Sequence, residues 1–81
     1  MDTEQIKREL NDIFRKVFES GSIQIFDKMT ANDVAEWDSL NHINLIVAVE
    51  KHFKVSFTTK ELSVLRNVGE FIKLIKKHLV Q

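Results

Sequence analysis

Hydrophobic side chains recur at three- and four-residue steps through the first twenty residues, and this is the period of an α-helix. The pattern predicts a first helix from about Thr3 to Ser20, capped at its start by Asp2 or Thr3. Gly21 is expected to end it, because glycine adopts the left-handed conformation found at many helix C-termini without strain. The apolar face of this helix comprises Ile6, Leu10, Ile13, Phe14, Val17 and Phe18.

The next segment, from Ser22 to Asp38, lacks a helical period and predicts a long loop. We expect Ile23, Ile25 and Phe26 to fix this loop on the core. Loops longer than about 12 residues are uncommon in compact domains and are often functional.

A second helix is predicted to begin near Asp38 or Ser39 and to end near Phe53, and it has two apolar stripes. One stripe contains Leu45, Ile46, Val49 and Phe53, and the other contains Leu40, Ile43 and Val47. A helix at the edge of a small bundle needs only one stripe for the core. The second stripe therefore either packs beneath the loop or contacts another protein.

Capping signals mark two further helices. Thr58 and Glu61 form a capping box for a short third helix, about Thr59 to Leu65, and Asn67 with Glu70 gives a similar signal for the last helix. The apolar positions of the last helix are Val68, Phe71, Ile72, Ile75 and Leu79. The predicted fold is all-α: a small bundle of three main helices plus one short helix, with a long loop after the first helix, in a single domain over residues 1–81.

Composition and charge narrow the class of protein. The chain has 81 residues, 43% of them hydrophobic, which suits one packed core, and it has no cysteine for disulfides or thiolate metal sites. Its 12 basic and 12 acidic residues balance, unlike those of a typical nucleic-acid-binding protein. Lys73, Lys76 and Lys77 are expected to be solvated at a helix C-terminus, where cations interact favourably with the helix dipole. With no apolar run long enough for a membrane span and no secretory signal, we expect a cytoplasmic monomer that binds neither membranes nor nucleic acid.

The candidate site is the junction of the long loop and the second helix, Glu36 to Leu40. Ser39 is predicted at the N-cap or first helical position, with its hydroxyl beside unpaired amides. A phosphate ester at that position gains from these donors and from the positive end of the helix dipole. On this physical argument alone, a sequence such as Asp38-Ser39 is more often a plain helix cap.

The sequence Asp38-Ser39-Leu40, followed by Ile43, Leu45-Ile46, Val49-Glu50 and Phe53, resembles the modification motif and recognition helix of acyl carrier proteins. The resemblance covers nearly the whole chain. The tripeptide alone is common, but its position at the mid-chain loop–helix junction of so short a chain is specific.

This resemblance implies a carrier that is not itself an enzyme and has no catalytic or metal-binding residues. It implies that a phosphopantetheinyl transferase attaches 4'-phosphopantetheine covalently to Ser39, that Asp38 helps to present Ser39, and that acyl-loading and acyl-using enzymes bind the protein. Leu40, Ile43 and Val47 would then contact these partners. The implied pathway is fatty acid, lipid or polyketide-type synthesis. The interior expected to shelter the acyl chain comprises Phe14, Leu45, Ile46, Val49, Leu62, Ile72 and Ile75.

The second helix departs from the acidic pattern of many acyl carrier proteins. Its polar positions include Asn41, His42, Asn44 and Lys51, and Glu50 is its only carboxylate after Asp38. This predicts a specialised member with its own partners. Trp37 is expected to anchor the loop, and His42, His52 and His78 are expected to be solvated surface residues. Two alternatives stay open: a carrier of an aminoacyl or aryl group, and a helical interaction domain without a covalent cofactor.

Overall fold

The computed structural model describes residues 2–79 and contains four α-helices and no strand within that range. Helix α1 spans Thr3–Val17, α2 spans Ser39–Phe53, α3 spans Thr59–Ser63 and α4 spans Val68–Leu79, and a 3₁₀ turn, Ala31–Asp33, lies in the loop after α1. Three long helices and one short helix confirm the predicted all-α bundle. No helix among the described residues has both the length and the apolar character needed to cross a membrane.

The core lies where α1 packs against α2 and α4. Each of these helices buries four side chains: Ile6, Leu10, Ile13 and Phe14 from α1, Leu45, Ile46, Val49 and Phe53 from α2, and Val68, Phe71, Ile72 and Ile75 from α4. All twelve were predicted from the hydrophobic period, so the sequence pattern determines which face of each helix turns inward.

The end of α1 differs from the prediction. The helix ends at Val17, and Glu19 takes the left-handed conformation with φ 52°, whereas Gly21 has no positive φ. After this early reversal the loop runs back along α1, where Arg15 Nε donates a hydrogen bond of 2.8 Å to the carbonyl oxygen of the half-buried Ile23. A helix continuing to the predicted end would prevent the loop from making this contact.

The apolar contacts of the loop are only partly those predicted. Ile25 is buried, but Phe26 is 47% exposed, so its predicted place on the core is wrong. The Ile25 amide donates to Asn11 Oδ1 at 2.7 Å, which attaches the loop to α1 at this point. Met29 and Val34, which the pattern did not indicate, are buried at 4% and 6% exposure and hold the rest of the loop.

The loop also supplies hydrogen-bond acceptors to the start of α4. The Val68 amide donates to the Met29 carbonyl oxygen at 2.9 Å, and the Gly69 amide donates to the Asp27 carbonyl oxygen at 2.7 Å. A Cβ atom at Gly69 would lie 3.0 Å from that Asp27 oxygen. Glycine therefore allows the loop backbone to approach the helix this closely.

Both predicted capping signals are confirmed. Thr58 Oγ1 accepts from the Glu61 amide at 3.1 Å and the Glu61 carboxylate accepts from the Thr58 amide at 2.9 Å. Asn67 Oδ1 accepts from the Glu70 amide at 2.9 Å. Helix α3 ends at Ser63, before the predicted Leu65. The Leu65 amide donates to the carbonyl oxygen of Leu62, three residues back, as in the tightened last turn of many helices.

Candidate functional site

Ser39 is the exposed first residue of α2, and Asp38 is the N-cap before it. Asp38 Oδ1 accepts a hydrogen bond from the Asn41 amide at 2.8 Å. The amides of Ser39 and Leu40 have no partner within the helix, because the residues four positions before them lie outside it. The Ser39 hydroxyl is therefore near backbone donors and the positive end of the helix dipole, which favour a phosphate group.

The backbone that leads into Ser39 is fixed by a shared acceptor. The carbonyl oxygen of Glu36 accepts from the Asp38 amide at 2.9 Å and from Asn41 Nδ2 at 2.8 Å. Asn41, predicted as a polar position on the outer face of the helix, is half-buried and holds the end of the loop. This role of Asn41 could not be predicted from the sequence, because asparagine is equally common on a solvated helix surface.

Trp37 anchors the loop, as predicted. Its ring packs edge-on against Phe14, with the centroids 5.3 Å apart, and its centroid lies 5.9 Å from that of Phe18. The indole Nε1 donates to His42 Nδ1 at 3.0 Å. The residue two positions before Ser39 is thus tied to both α1 and α2.

The prediction that the three histidines are solvated surface residues is correct only for His52, which is exposed, whereas His42 and His78 are half-buried. His42 accepts the indole hydrogen bond, His52 Nε2 lies 2.6 Å from Glu9 Oε1, and His78 Nε2 lies 3.0 Å from Glu61 Oε2. The hydrogen bond with His52 lowers the pKa of the Glu9 carboxyl. Each histidine therefore joins two parts of the fold. Residues 2–79 contain no group of three or more metal-ligating side chains placed to hold a metal ion.

The second apolar stripe of α2 faces outward. Leu40 is 68% exposed, Ile43 59% and Val47 42%, so the alternative in which the stripe packs beneath the loop is wrong. Ile43 and Val47, together with Ile46 and Leu62, line an open groove of about 390 Å³ between α2 and α3. The surface beside Ser39 is thus apolar and accessible.

Neither a protein-family model nor a curated protein matches this chain. Its structure is similar to the solution NMR structure of a holo acyl carrier protein from Geobacter metallireducens, with a TM-score of 0.89 and 44% sequence identity. The match covers 93% of this chain and 86% of that one. This chain belongs to the acyl carrier protein family. Acyl carrier proteins are carriers rather than enzymes, so the predicted family and the prediction of a non-enzymatic carrier are confirmed.

The outer face of α2 in this acyl carrier protein carries less negative charge than the sequence indicated. Glu50 is the only carboxylate within α2, and its Oε2 atom accepts from the Phe57 amide at 2.8 Å. That hydrogen bond directs the carboxylate toward the connection between α2 and α3. The exposed polar residues that accompany the apolar stripe are Asn44 and Lys51.

A smaller, partly open cavity of about 110 Å³ lies between the loop, α2 and the connection from α3 to α4, and its lining includes the exposed residues Ala31 and Arg66. Its wall includes Trp37, His42, Ile46, Leu65 and Phe71, and His42 and Ile46 also line the groove. Of the seven residues expected to shelter an acyl chain, only Ile46 lines this cavity. Hydrophobic period predicts which faces are buried but not where two buried faces leave a gap, so the sequence held no signal for the cavity.

Proposed function

We propose that this protein holds acyl groups as thioesters on a 4'-phosphopantetheine arm attached to Ser39. The observation that carries the proposal is the exposed Ser39 hydroxyl at the start of α2, directly after the Asp38 cap. Family membership supports it, and the similar Geobacter protein is described in its holo form. The alternative of an interaction domain without a cofactor has no comparable support.

Attachment of the arm requires a nucleophile and a docking surface from this chain. Ser39 Oγ forms a bond to the pantetheine-bearing phosphorus of coenzyme A, the bond from that phosphorus to the adenosine bisphosphate portion breaks, and the hydroxyl proton passes to a base on the transferase. The amides of Ser39 and Leu40 can donate to the resulting phosphodiester. Asp38, fixed by its hydrogen bond to the Asn41 amide, holds this first turn in a defined position.

Partner enzymes would bind the stripe of Leu40, Ile43 and Val47, with Asp38 at its edge. The partners are a phosphopantetheinyl transferase and enzymes that load or use acyl groups in fatty acid, lipid or polyketide-type synthesis. Because the face carries apolar and amide groups in place of carboxylates, its partners should depend on shape and apolar contact more than on charge. We infer a specialised cytoplasmic carrier that acts as a monomer and a single domain over residues 1–81. An aminoacyl or aryl cargo is the competing possibility.

The experiment is intact-mass spectrometry after incubation with coenzyme A and a broad-specificity transferase. The wild type should gain one phosphopantetheine group, and Ser39→Ala should gain none while keeping its fold, because Asp38 provides the cap. Ser56→Ala, at another exposed serine, is the matched control and should be modified like the wild type. An unmodified wild type, or a modified Ser39→Ala, would contradict the proposal.

A further inference from the structure

The side chains of Trp37 and His42 form a hydrogen bond on either side of Ser39. The indole Nε1 of Trp37 donates to Nδ1 of His42 at 3.0 Å, and the two residues are five positions apart. Ser39 lies between them, two residues after the tryptophan and three before the histidine. The hydrogen bond therefore joins the end of the loop to the first turn of α2 at the proposed attachment point.

Both partners of this hydrogen bond are held by other parts of the fold. The Trp37 ring packs against Phe14 and Phe18. The His42 amide donates to the Asp38 carbonyl oxygen at 2.8 Å, which places the imidazole in the first turn of α2. Both side chains are half-buried. The hydrogen bond thus connects the aromatic cluster on α1 to the turn that carries Ser39.

The hydrogen bond fixes the protonation state of His42. An indole N–H group can only donate, so Nδ1 of His42 must offer a lone pair. The imidazole is therefore neutral and carries its proton on Nε2. A protonated imidazole has an N–H donor at both nitrogens, and it would place two donors against each other. The contact with Trp37 is possible in only one of the two protonation states.

Few charged groups surround His42. It lines two cavities, and among the other residues that line them Arg66, between α3 and α4, is the only charged one. On its own helix Asp38 lies one turn earlier, and that carboxylate already accepts from the Asn41 amide. Neither charged group forms an ion pair with the imidazole within residues 2–79. The indole is therefore the direct partner that distinguishes neutral from protonated His42.

We propose that His42 is a positioning residue for Ser39, that it acts through Trp37, and that it does so only in its neutral form. The hydrogen bond then holds the end of the loop against α2 and presents Ser39 to the transferase. As the pH falls from about 8 to about 5, the range in which histidines take up a proton, the hydrogen bond is lost and modification slows. This inference rests on the proposed attachment at Ser39.

The test compares the wild type with Trp37→Phe, which keeps an aromatic ring beside Phe14 but has no N–H donor. The value of kcat/KM for phosphopantetheine attachment by one transferase is measured by intact mass across this pH range. The ratio of the two values at each pH cancels titration of the transferase and of coenzyme A. It should be roughly two to ten at about pH 8, the factor that one neutral hydrogen bond allows, and should fall toward one in acid.

Two substitutions of His42 separate its protonation from its bulk. Asparagine carries Oδ1 at the same number of bonds from the backbone as histidine Nδ1, and it does not titrate. His42→Asn should therefore accept from the indole at every pH, and its ratio to Trp37→Phe should stay constant. His42→Leu has no acceptor and should match Trp37→Phe throughout. His52→Asn is the matched control, because His52 lies on the same helix but contacts Glu9, and it should keep the wild-type pH dependence.

The indole proton gives a second readout that does not depend on the transferase. Trp37 is the only tryptophan, so its N–H signal in ¹⁵N NMR spectra is assigned without ambiguity. This signal should shift with pH in the wild type and stay constant in His42→Asn. A wild-type ratio that is constant with pH, or an indole signal that titrates equally in His42→Asn, would overturn the inference. Failure of the proposed function is separate and shows as the absence of any phosphopantetheine mass on the wild type at every pH.

Discussion

Replacing Gly69 by alanine should destabilise this fold, although alanine is the better helix former. Gly69 is the second residue of α4, and its amide donates to the carbonyl oxygen of Asp27 in the loop at 2.7 Å. The new methyl group would lie 3.0 Å from that oxygen and 3.2 Å from the Asp27 Cβ atom. Both distances are short for van der Waals contacts of a carbon atom, so the loop would have to move away from the helix.

The magnitude follows from two opposing terms. Alanine is favoured over glycine by about 0.8–1.0 kcal/mol in a helix interior, and by less in the first turn. Movement of the loop would weaken the Gly69–Asp27 hydrogen bond and its neighbour between Val68 and Met29, each contributing about 0.5–1.5 kcal/mol. We expect a net loss of about 1 kcal/mol, which lowers the unfolding temperature of a domain of this size by roughly 4–8 °C.

Gly21→Ala is the matched control. Gly21 has no other group within 4 Å of an added Cβ atom and no positive φ, so alanine fits without strain. It should stabilise the fold by about 0.4–1 kcal/mol, because it reduces the conformational freedom of the unfolded chain. Thermal unfolding followed by circular dichroism should therefore shift in opposite directions for the two variants. If Gly69→Ala is stabilised as much as Gly21→Ala, the close approach of the loop does not restrict this position.

Three further predictions concern other parts of the molecule. Leu45→Ala should lower the free energy of unfolding by about 2–5 kcal/mol, because Leu45 is fully buried. Val47→Ala should lower it by only about 0.5 kcal/mol and should slow modification by the transferase. A large stability loss for Val47→Ala in urea unfolding would place the stripe in the core. The pKa of Glu61 is lowered, first by the hydrogen bond from the Thr58 backbone amide at the start of α3 and then by His78. The charged carboxylate therefore stabilises the fold above its ordinary pKa of 4.5, and this stability is lost as the pH falls through the lowered value. Glu61→Gln should thus be less stable than the wild type at neutral pH and approach it in acid, and a gap that is constant with pH would contradict this. Asn44→Glu should speed acyl loading by an enzyme adapted to acidic carriers, with the gain suppressed by salt; equal rates for both forms at low salt would refute the charge argument.

The helices and their buried faces could be predicted because both depend on local pattern. The period of Ile6, Leu10 and Phe14 in α1 places these residues on one side of the helix whatever the helix packs against. The capping box of Thr58 and Glu61 likewise acts within a single turn. Such features are set by neighbours in the sequence, so the sequence is sufficient to find them.

Features that depend on distant partners could not be predicted. His52 contacts Glu9 across 43 positions, and nothing near His52 in the sequence indicates that partner. The left-handed residue is Glu19 rather than Gly21 because the loop has to fold back toward Arg15, and this requirement outweighs the intrinsic preference of glycine. At the candidate site, the position of Ser39 followed from the pattern, whereas the cavity emerged only from the packing.

The loop between α1 and α2 has almost no regular secondary structure, yet its length is constrained. It is attached to α1 through Ile23, to α4 through Asp27 and Met29, and to both α1 and α2 through Trp37. An inserted residue between these attachments would shift every later contact out of register. Gly21, in contrast, is exposed, and an added Cβ atom there would meet no other group within 4 Å, so this position could accept an insertion. Evolutionary change in loop length should therefore concentrate beside Gly21, and the segment leading to α2 should keep a constant number of residues.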